Sequence, residues 1–322
     1  MSSPPLSVND WLKQLHCSGH ALALKELTYY KSKTKLLDLA VRRRIRSPLS
    51  GQYLAPHKGR GMEFAEVRHY QNGDDVRSID WRVTARTGEA HTKLFQEEKE
   101  RPVLIMADFS ASMQFGSQFV FKSVQAAHLG ALIAWSACER GDKLGALIFN
   151  DHHHHEFRPQ SRDKAVLRVF HGMLDCHSEQ QTVATQSTSP VSLVTQLKRL
   201  NQLAKPGSTV YLISDFVTLN DQDRASIERE LQHLARHCEV VACIVSDPFE
   251  KKLPSYSEAI NVSTGRAEIS LALDDANFRS RFNKRAQALG SQRLEILARY
   301  CHSIVEISAA KALEQQFYQR SA

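Results

Sequence analysis

The residues best suited to chemistry lie in Asp108-Phe109-Ser110-Ala111-Ser112. The alternating spacing puts Asp108, Ser110 and Ser112 on one side of a loop. A carboxylate and two hydroxyls are hard oxygen donors, suited to Mg²⁺, Mn²⁺ or Ca²⁺ and poorly suited to zinc or copper. The loop follows an apolar run, Val103 to Ala107, and a second run, Val210 to Ser214, also ends in an aspartate, Asp215. The other use of the same side chains is to cap the next helix.

A second charged series precedes this loop. Arg68, Asp74, Asp75, Arg77, Asp80, Arg82 and Arg86 alternate cations with carboxylates around Trp81. Arginine forks grip carboxylates bidentately, so the series predicts a partly buried ion-pair network with Trp81 as its apolar anchor. It serves either as a clasp on the neighbouring domain or as a partner-docking surface. The run Asp151-His152-His153-His154-His155-Glu156 holds metal-binding side chains. Successive residues point in different directions, so a hairpin tip with adventitious affinity is expected.

No Gly-x-Ser-x-Gly elbow, phosphate loop or dinucleotide fingerprint is present. Catalysis stays open as hydrolysis by Ser110 or Ser112 with a histidine, or as metal-assisted phosphate chemistry at Asp108 and Asp215. The leading expectation is adhesion rather than turnover.

These residues need a scaffold. Val103–Ala107, Leu144–Phe149, Val210–Ile213, Val240–Val245 and Ile304–Ile307 read as strands. Between them Lys122–Arg140, Asp163–Leu174, Val191–Leu203, Asp223–His237 and Asp275–Cys301 read as helices. Strands alternating with helices predict a mostly parallel α/β sheet covered on both faces, with ligands at the carboxyl edge where strand order reverses. Residues 1–46 read as a helical basic segment: a short helix capped by Asn9 or Asp10, then a longer one from Ala21 to Arg44. Residues 47–101 read as short strands with polar turns, one at Asn72-Gly73-Asp74. Residues 102–322 form the α/β domain.

With 322 residues, 42% of them hydrophobic, the chain can bury a large core. The six cysteines contain no Cys-x-x-Cys pair and read as reduced core thiols. The net charge is +7, and Lys25 to Arg46 holds eight basic residues against Glu26 and Asp38, or +6. That window is a solvated face, or a patch for an acidic protein or nucleic acid. Its two aromatic residues, Tyr29 and Tyr30, are adjacent rather than interleaved with the basic residues as in nucleic-acid-binding segments. The longest nearly apolar run, Ala126–Cys138, is too short to span a bilayer, and the N-terminus has no signal-peptide pattern. A cytoplasmic location is expected.

The long stretch Gly59-Arg60-Gly61-Met62-Glu63-Phe64 through Tyr70-Gln71-Asn72-Gly73-Asp74-Asp75-Val76-Arg77-Ser78-Ile79-Asp80-Trp81-Arg82 resembles the hallmark of the bacterial domain of unknown function 58 family. The likeness continues through Lys93–Glu98, Ser214-Asp215-Phe216, Asp247-Pro248-Phe249-Glu250 and Leu253-Pro254. The Asp108 loop resembles the metal-ion-dependent adhesion site of von Willebrand factor A-like domains. That resemblance implies a metal set of Asp108, Ser110, Ser112, a threonine (Thr188 by position) and Asp215, with an acidic group of a partner completing the coordination. It implies an adaptor or co-chaperone acting with a MoxR-type AAA+ ATPase and an unknown client.

Overall fold

The computed structural model describes residues 7–37, 54–55, 62–71, 74–97, 101–182, 192–217, 223–255, 260–263, 268–271 and 273–319. Thr188, Asn72, Gly73 and the Arg42–Arg44 run fall outside them. The chain divides into two compact units, Arg46–Glu100 and the remainder (Met1–Ile45 with Arg101–Ala322).

In chain order, helices α1 (Val8–Leu15) and α2 (Leu24–Tyr29) precede strands β1 (Leu54–Ala55) and β2 (Met62–His69). Helix α3 (Trp81–Thr87), β3 (His91–Glu97), β4 (Val103–Asp108), α4 (Lys122–Glu139), β5 (Leu144–Phe149) and β6 (His154–Gln160) follow. Next come α5 (Asp163–Thr182), α6 (Leu193–Leu203), β7 (Thr209–Ser214), α7 (Arg224–Ala235), β8 (Glu239–Ser246) and α8 (Pro248–Lys251). Last are β9 (Ile260–Ser263), β10 (Glu268–Leu271), α9 (Ala276–Tyr300), β11 (Ser303–Ser308) and α10 (Leu313–Gln319).

The larger unit is built on a six-stranded sheet of order β11-β8-β7-β4-β5-β6. Every pairing is parallel except β5 with β6. Strand period assigns the core: Val103, Ile105 and Ala107 of β4 face one apolar layer, Leu104 and Met106 the other. The first layer packs under α4, α5 and the N-terminal segment; the second packs under α6, α7 and Leu297 of α9. The order reverses at β4, because β5 and β6 continue to one side and β7 and β8 to the other. The loops after β4 and β7 therefore flank the switch point.

Helix α4 is buried from Lys122 to Ala137, with its buried polar side chains Lys122, Gln125 and His128 each held by a partner. Its outer face is covered by residues 7–37. Leu15, Leu27 and Tyr30 are fully buried, and Trp135 Nε1 donates to the Leu27 carbonyl at 3.0 Å. The long helix expected over Ala21–Arg44 is not formed in the described part. Helix α2 spans only Leu24–Tyr29 and tightens into a 3₁₀ turn at Tyr30–Lys33. Burial of Tyr30 against α4 outweighs the apolar spacing that suggested one straight helix. The α1 cap is Ser7, not Asn9 or Asp10: Ser7 and Asp10 form a reciprocal capping box.

The smaller unit carries a three-stranded antiparallel sheet of order β1-β3-β2 and the surface helix α3. That helix was not expected, although Asp80 caps it and Gly88 closes it at φ +80. Leu27→Ala empties a site between the N-terminal segment and α4. It should lower stability by about 2–5 kcal/mol, read by urea unfolding.

Candidate functional site

Three strand ends meet at the carboxyl edge. Asp108 is the last residue of β4, Ser214-Asp215 ends and follows β7, and Asp247 follows β8. Asp108 and Asp215 are 5% and 2% exposed, so two carboxylates are held out of water at neighbouring strand ends. Asp108 Oδ1 accepts the Ser110 amide at 2.9 Å, and Oδ2 accepts the Ser214 hydroxyl at 2.6 Å. The Ser110 and Ser112 hydroxyls lie 3.3 Å apart, both partly buried. Asp108, Ser110 and Ser112 thus share one turn, and Ser214 ties that turn to the Asp215 loop.

The central counter-charge was missed in the sequence. Lys122, 0% exposed at the start of α4, reaches Asp215 Oδ2 at 2.7 Å and Glu250 Oε1 at 2.5 Å. A lysine in the first turn opposes the helix dipole, so it stands there only because these carboxylates hold it. Burial alone would depress its pKa, but Asp215 and Glu250 raise it above the usual lysine range. Glu250 also accepts the Asp247 amide through Oε2, closing a capping box on α8. Asp247 in turn accepts the Ser117 amide and hydroxyl at 3.0 and 2.5 Å. The Asp247-Pro248-Phe249-Glu250 motif is therefore a brace between β8, the loop after β4 and α4. Arg293 of α9 donates to the Asp215 carbonyl from a cavity of about 820 Å³.

One ammonium does not neutralise this edge. Asp108 is held protonated up to about pH 6, first by burial and then by the Asp215 charge. The donors fit a hard divalent cation: they are oxygens, and they carry more negative charge than Lys122 offsets. Of the set expected from sequence, Asp108, Ser110, Ser112 and Asp215 stand at this edge; Thr188 lies outside the described residues.

The histidine tract borders the same edge. Asn150 Oδ1 accepts the His152 and His153 amides, and Asp151 accepts the Ala111 amide at 2.9 Å. The four histidines run from this turn into edge strand β6, so they diverge.

In the smaller unit the described arginine–aspartate contacts are joined by caps. Arg68 pairs with Asp74 at 2.7 Å and Lys93 with Asp80 at 3.4 Å. Asp75 accepts the Arg77 amide, and Asp80 accepts the Arg82 and Val83 amides. Trp81 is no anchor: it is 68% exposed, because the first residue of a short surface helix points outward. Arg77, Arg82 and Arg86 are exposed beside it.

Two outcomes follow. The folded Asp108 pKa lies above its unfolded value, so this carboxyl's own contribution is full below pH about 4 and is lost as pH rises through about 6, roughly 3 kcal/mol. Asp108→Asn should therefore raise the melting temperature in EDTA at pH 7.5 and leave it unchanged near pH 4. Lys122→Met strands Asp215 and Glu250 and should cost about 3–5 kcal/mol at neutral pH in denaturant unfolding.

Residues 66–292 match the family model described as "Protein of unknown function DUF58". The uncharacterized proteins Mb1516 of Mycobacterium bovis and Rv1480 of Mycobacterium tuberculosis are each 30% identical over 232 residues, covering 70% of this chain and 68% of theirs. A crystal structure of the conserved hypothetical protein BatB from Bacteroides thetaiotaomicron overlays at a TM-score of 0.36 and 14% identity, over 68% of this chain and 98% of its own; at that level it carries no argument. Among the described residues no helix is long and apolar enough to cross a membrane. With a family match across most of its length and mycobacterial relatives at this identity, the chain belongs to the DUF58 family.

Proposed function

We propose that this chain is a non-enzymatic interaction module, with a von Willebrand factor A-like α/β unit that grips an acidic partner group through a divalent cation. The observation that carries the reading is the pair Asp108 and Asp215, buried at adjacent strand ends with only one lysine to offset them. Asp108, Ser110, Ser112 and Asp215 hold the ion, Mg²⁺ by donor type, with Thr188 as the fifth residue. The bound ion supplies a positive centre with room for a carboxylate from outside.

Lys122 favours adhesion over turnover. Its ammonium holds Asp215 through one oxygen while the Val217 amide binds the other, so Asp215 is fixed as an ionised, weakly basic carboxylate that keeps a lone pair for an ion. The exposed Trp81, Arg77, Arg82 and Arg86 face of the smaller unit suits an acidic protein surface, since aromatic and arginine side chains dominate binding hot spots. What the family resemblance implies gives the partner, a MoxR-type AAA+ ATPase with a client protein; the N-terminal sequence, without a signal-peptide pattern, suits a cytoplasmic setting.

A pulldown with purified MoxR-type ATPase tests both surfaces. Capture should require Mg²⁺, be lost with EDTA, and be lost in Asp108→Ala protein that keeps its circular-dichroism spectrum. Equal capture in all three conditions would overturn the adhesion reading. Hydrolysis of a generic phosphate ester that disappears in Asp108→Ala would replace it with a metal-dependent hydrolase. Trp81→Ala should change stability by less than about 0.5 kcal/mol, as an exposed residue does, yet weaken capture about tenfold or more.

A further inference from the structure

Below the first turns of α4, three different donors converge under the N-terminal segment. Cys17 Sγ, a Glu26 carboxylate oxygen and a His128 ring nitrogen all lie within 4.8 Å of one another. Their exposures are 9%, 1% and 0%. Among the described residues, no other group of three such side chains converges this way.

Each donor is placed by its own local constraint. Cys17 follows His16, whose left-handed φ of 55° ends α1. The turn after it brings the Gly19 amide back to Cys17 Sγ at 3.2 Å. Gly19 has φ +89, and a Cβ there would meet the Phe119 carbonyl at 2.9 Å, so the turn requires glycine. Glu26 sits in the first turn of α2, with Oε1 fixed by the Ala23 amide and Oε2 on His128 Nε2 at 2.9 Å. His128 comes from the otherwise apolar middle of α4.

A buried polar group whose ring packs on His128 also lacks a partner. The Tyr30 hydroxyl is fully buried with no hydrogen-bond partner, and its ring lies 5.3 Å from that of His128. Both carboxylate oxygens of Glu314, which is 4% exposed, likewise lack partners.

We infer that Cys17, Glu26 and His128 form a structural zinc site that fastens the N-terminal segment to α4. Sulfur, imidazole nitrogen and carboxylate oxygen are all zinc donors, and a water molecule can take the fourth position. A thiolate and a carboxylate balance the two charges of the ion, so the filled centre is neutral and tolerable in a core. Without a metal, burial and the adjacent Glu26 carboxylate keep Cys17 a thiol; a bound cation is what releases its proton, and the Gly19 amide on Sγ then supports the thiolate. The sulfur separates this site from the all-oxygen set at Asp108, because Mg²⁺ and Ca²⁺ avoid soft donors.

The test uses the full chain, stripped with chelator and titrated with Zn²⁺ and Co²⁺. The chain carries His152→Ser and His153→Ser to remove adventitious binding. One tightly held equivalent of zinc is expected, with a rise in melting temperature. One equivalent of Co²⁺ should give thiolate-to-cobalt charge-transfer absorption and tetrahedral ligand-field bands. Cys17→Ser should abolish the charge-transfer band, and His128→Gln should weaken zinc binding by more than the ~10–100-fold of an outer-shell change. Absence of the charge-transfer band in the chain with Cys17 intact, or zinc uptake that vanishes with His152 and His153, overturns the proposal whether or not the other variants fold.

Discussion

The carboxyl edge depends on one buried ammonium. Lys122 enters the core at a helix start, where the backbone dipole repels it, and is kept there by Asp215 and Glu250. Through them it connects three strand ends. Asp215 follows β7, Glu250 braces Asp247 after β8, and Asp247 holds Ser117 in the loop that began at Asp108. The pairing repays a desolvation cost of several kcal/mol per ion only because each partner has further hydrogen bonds. The geometry of the oxygen donors is thus set by a cation that need not touch an exogenous ion itself.

Helix α4 transmits this constraint across the molecule. It carries Lys122 at its first turn and His128 about 9 Å further along its axis, both fully buried in an otherwise small and apolar sequence. One end organises the sheet edge; the middle meets Glu26 of the N-terminal segment. Residues 7–37 therefore form the outer wall of a helix whose inner face lies on the sheet.

The α/β sheet was legible because its strands are continuous apolar runs and its helices have the right period. The aspartates ending β4 and β7 were legible for the same reason, since they stand where those runs stop. Lys122 was not, because its meaning lies in residues 93 and 128 positions away, brought together only by crossover connections. The smaller unit shows the opposite failure. Asp75 and Asp80 read as ion-pair partners of nearby arginines, but one oxygen of each caps local backbone amides and the other oxygen of Asp80 meets Lys93. The flanking signals Asp80 and Gly88 were enough to mark α3, and that helix is what turns Trp81 outward. Tyr30 ended a helix that periodicity would have continued, because its burial depends on α4, far away in sequence.

The two outer strands of the large sheet limit how anything can attach to it. Strand β6 contains Pro159, which has no amide hydrogen to offer, and the exposed charges of Glu156 and Arg158. At the other margin β11 presents Glu306, paired with Lys251 at 3.1 Å. Charged side chains and proline on edge strands discourage another chain from extending the sheet. Association by strand addition is therefore disfavoured on both sides, and recognition is directed to the ends of the strands, where loops rather than backbone ladders make the contacts.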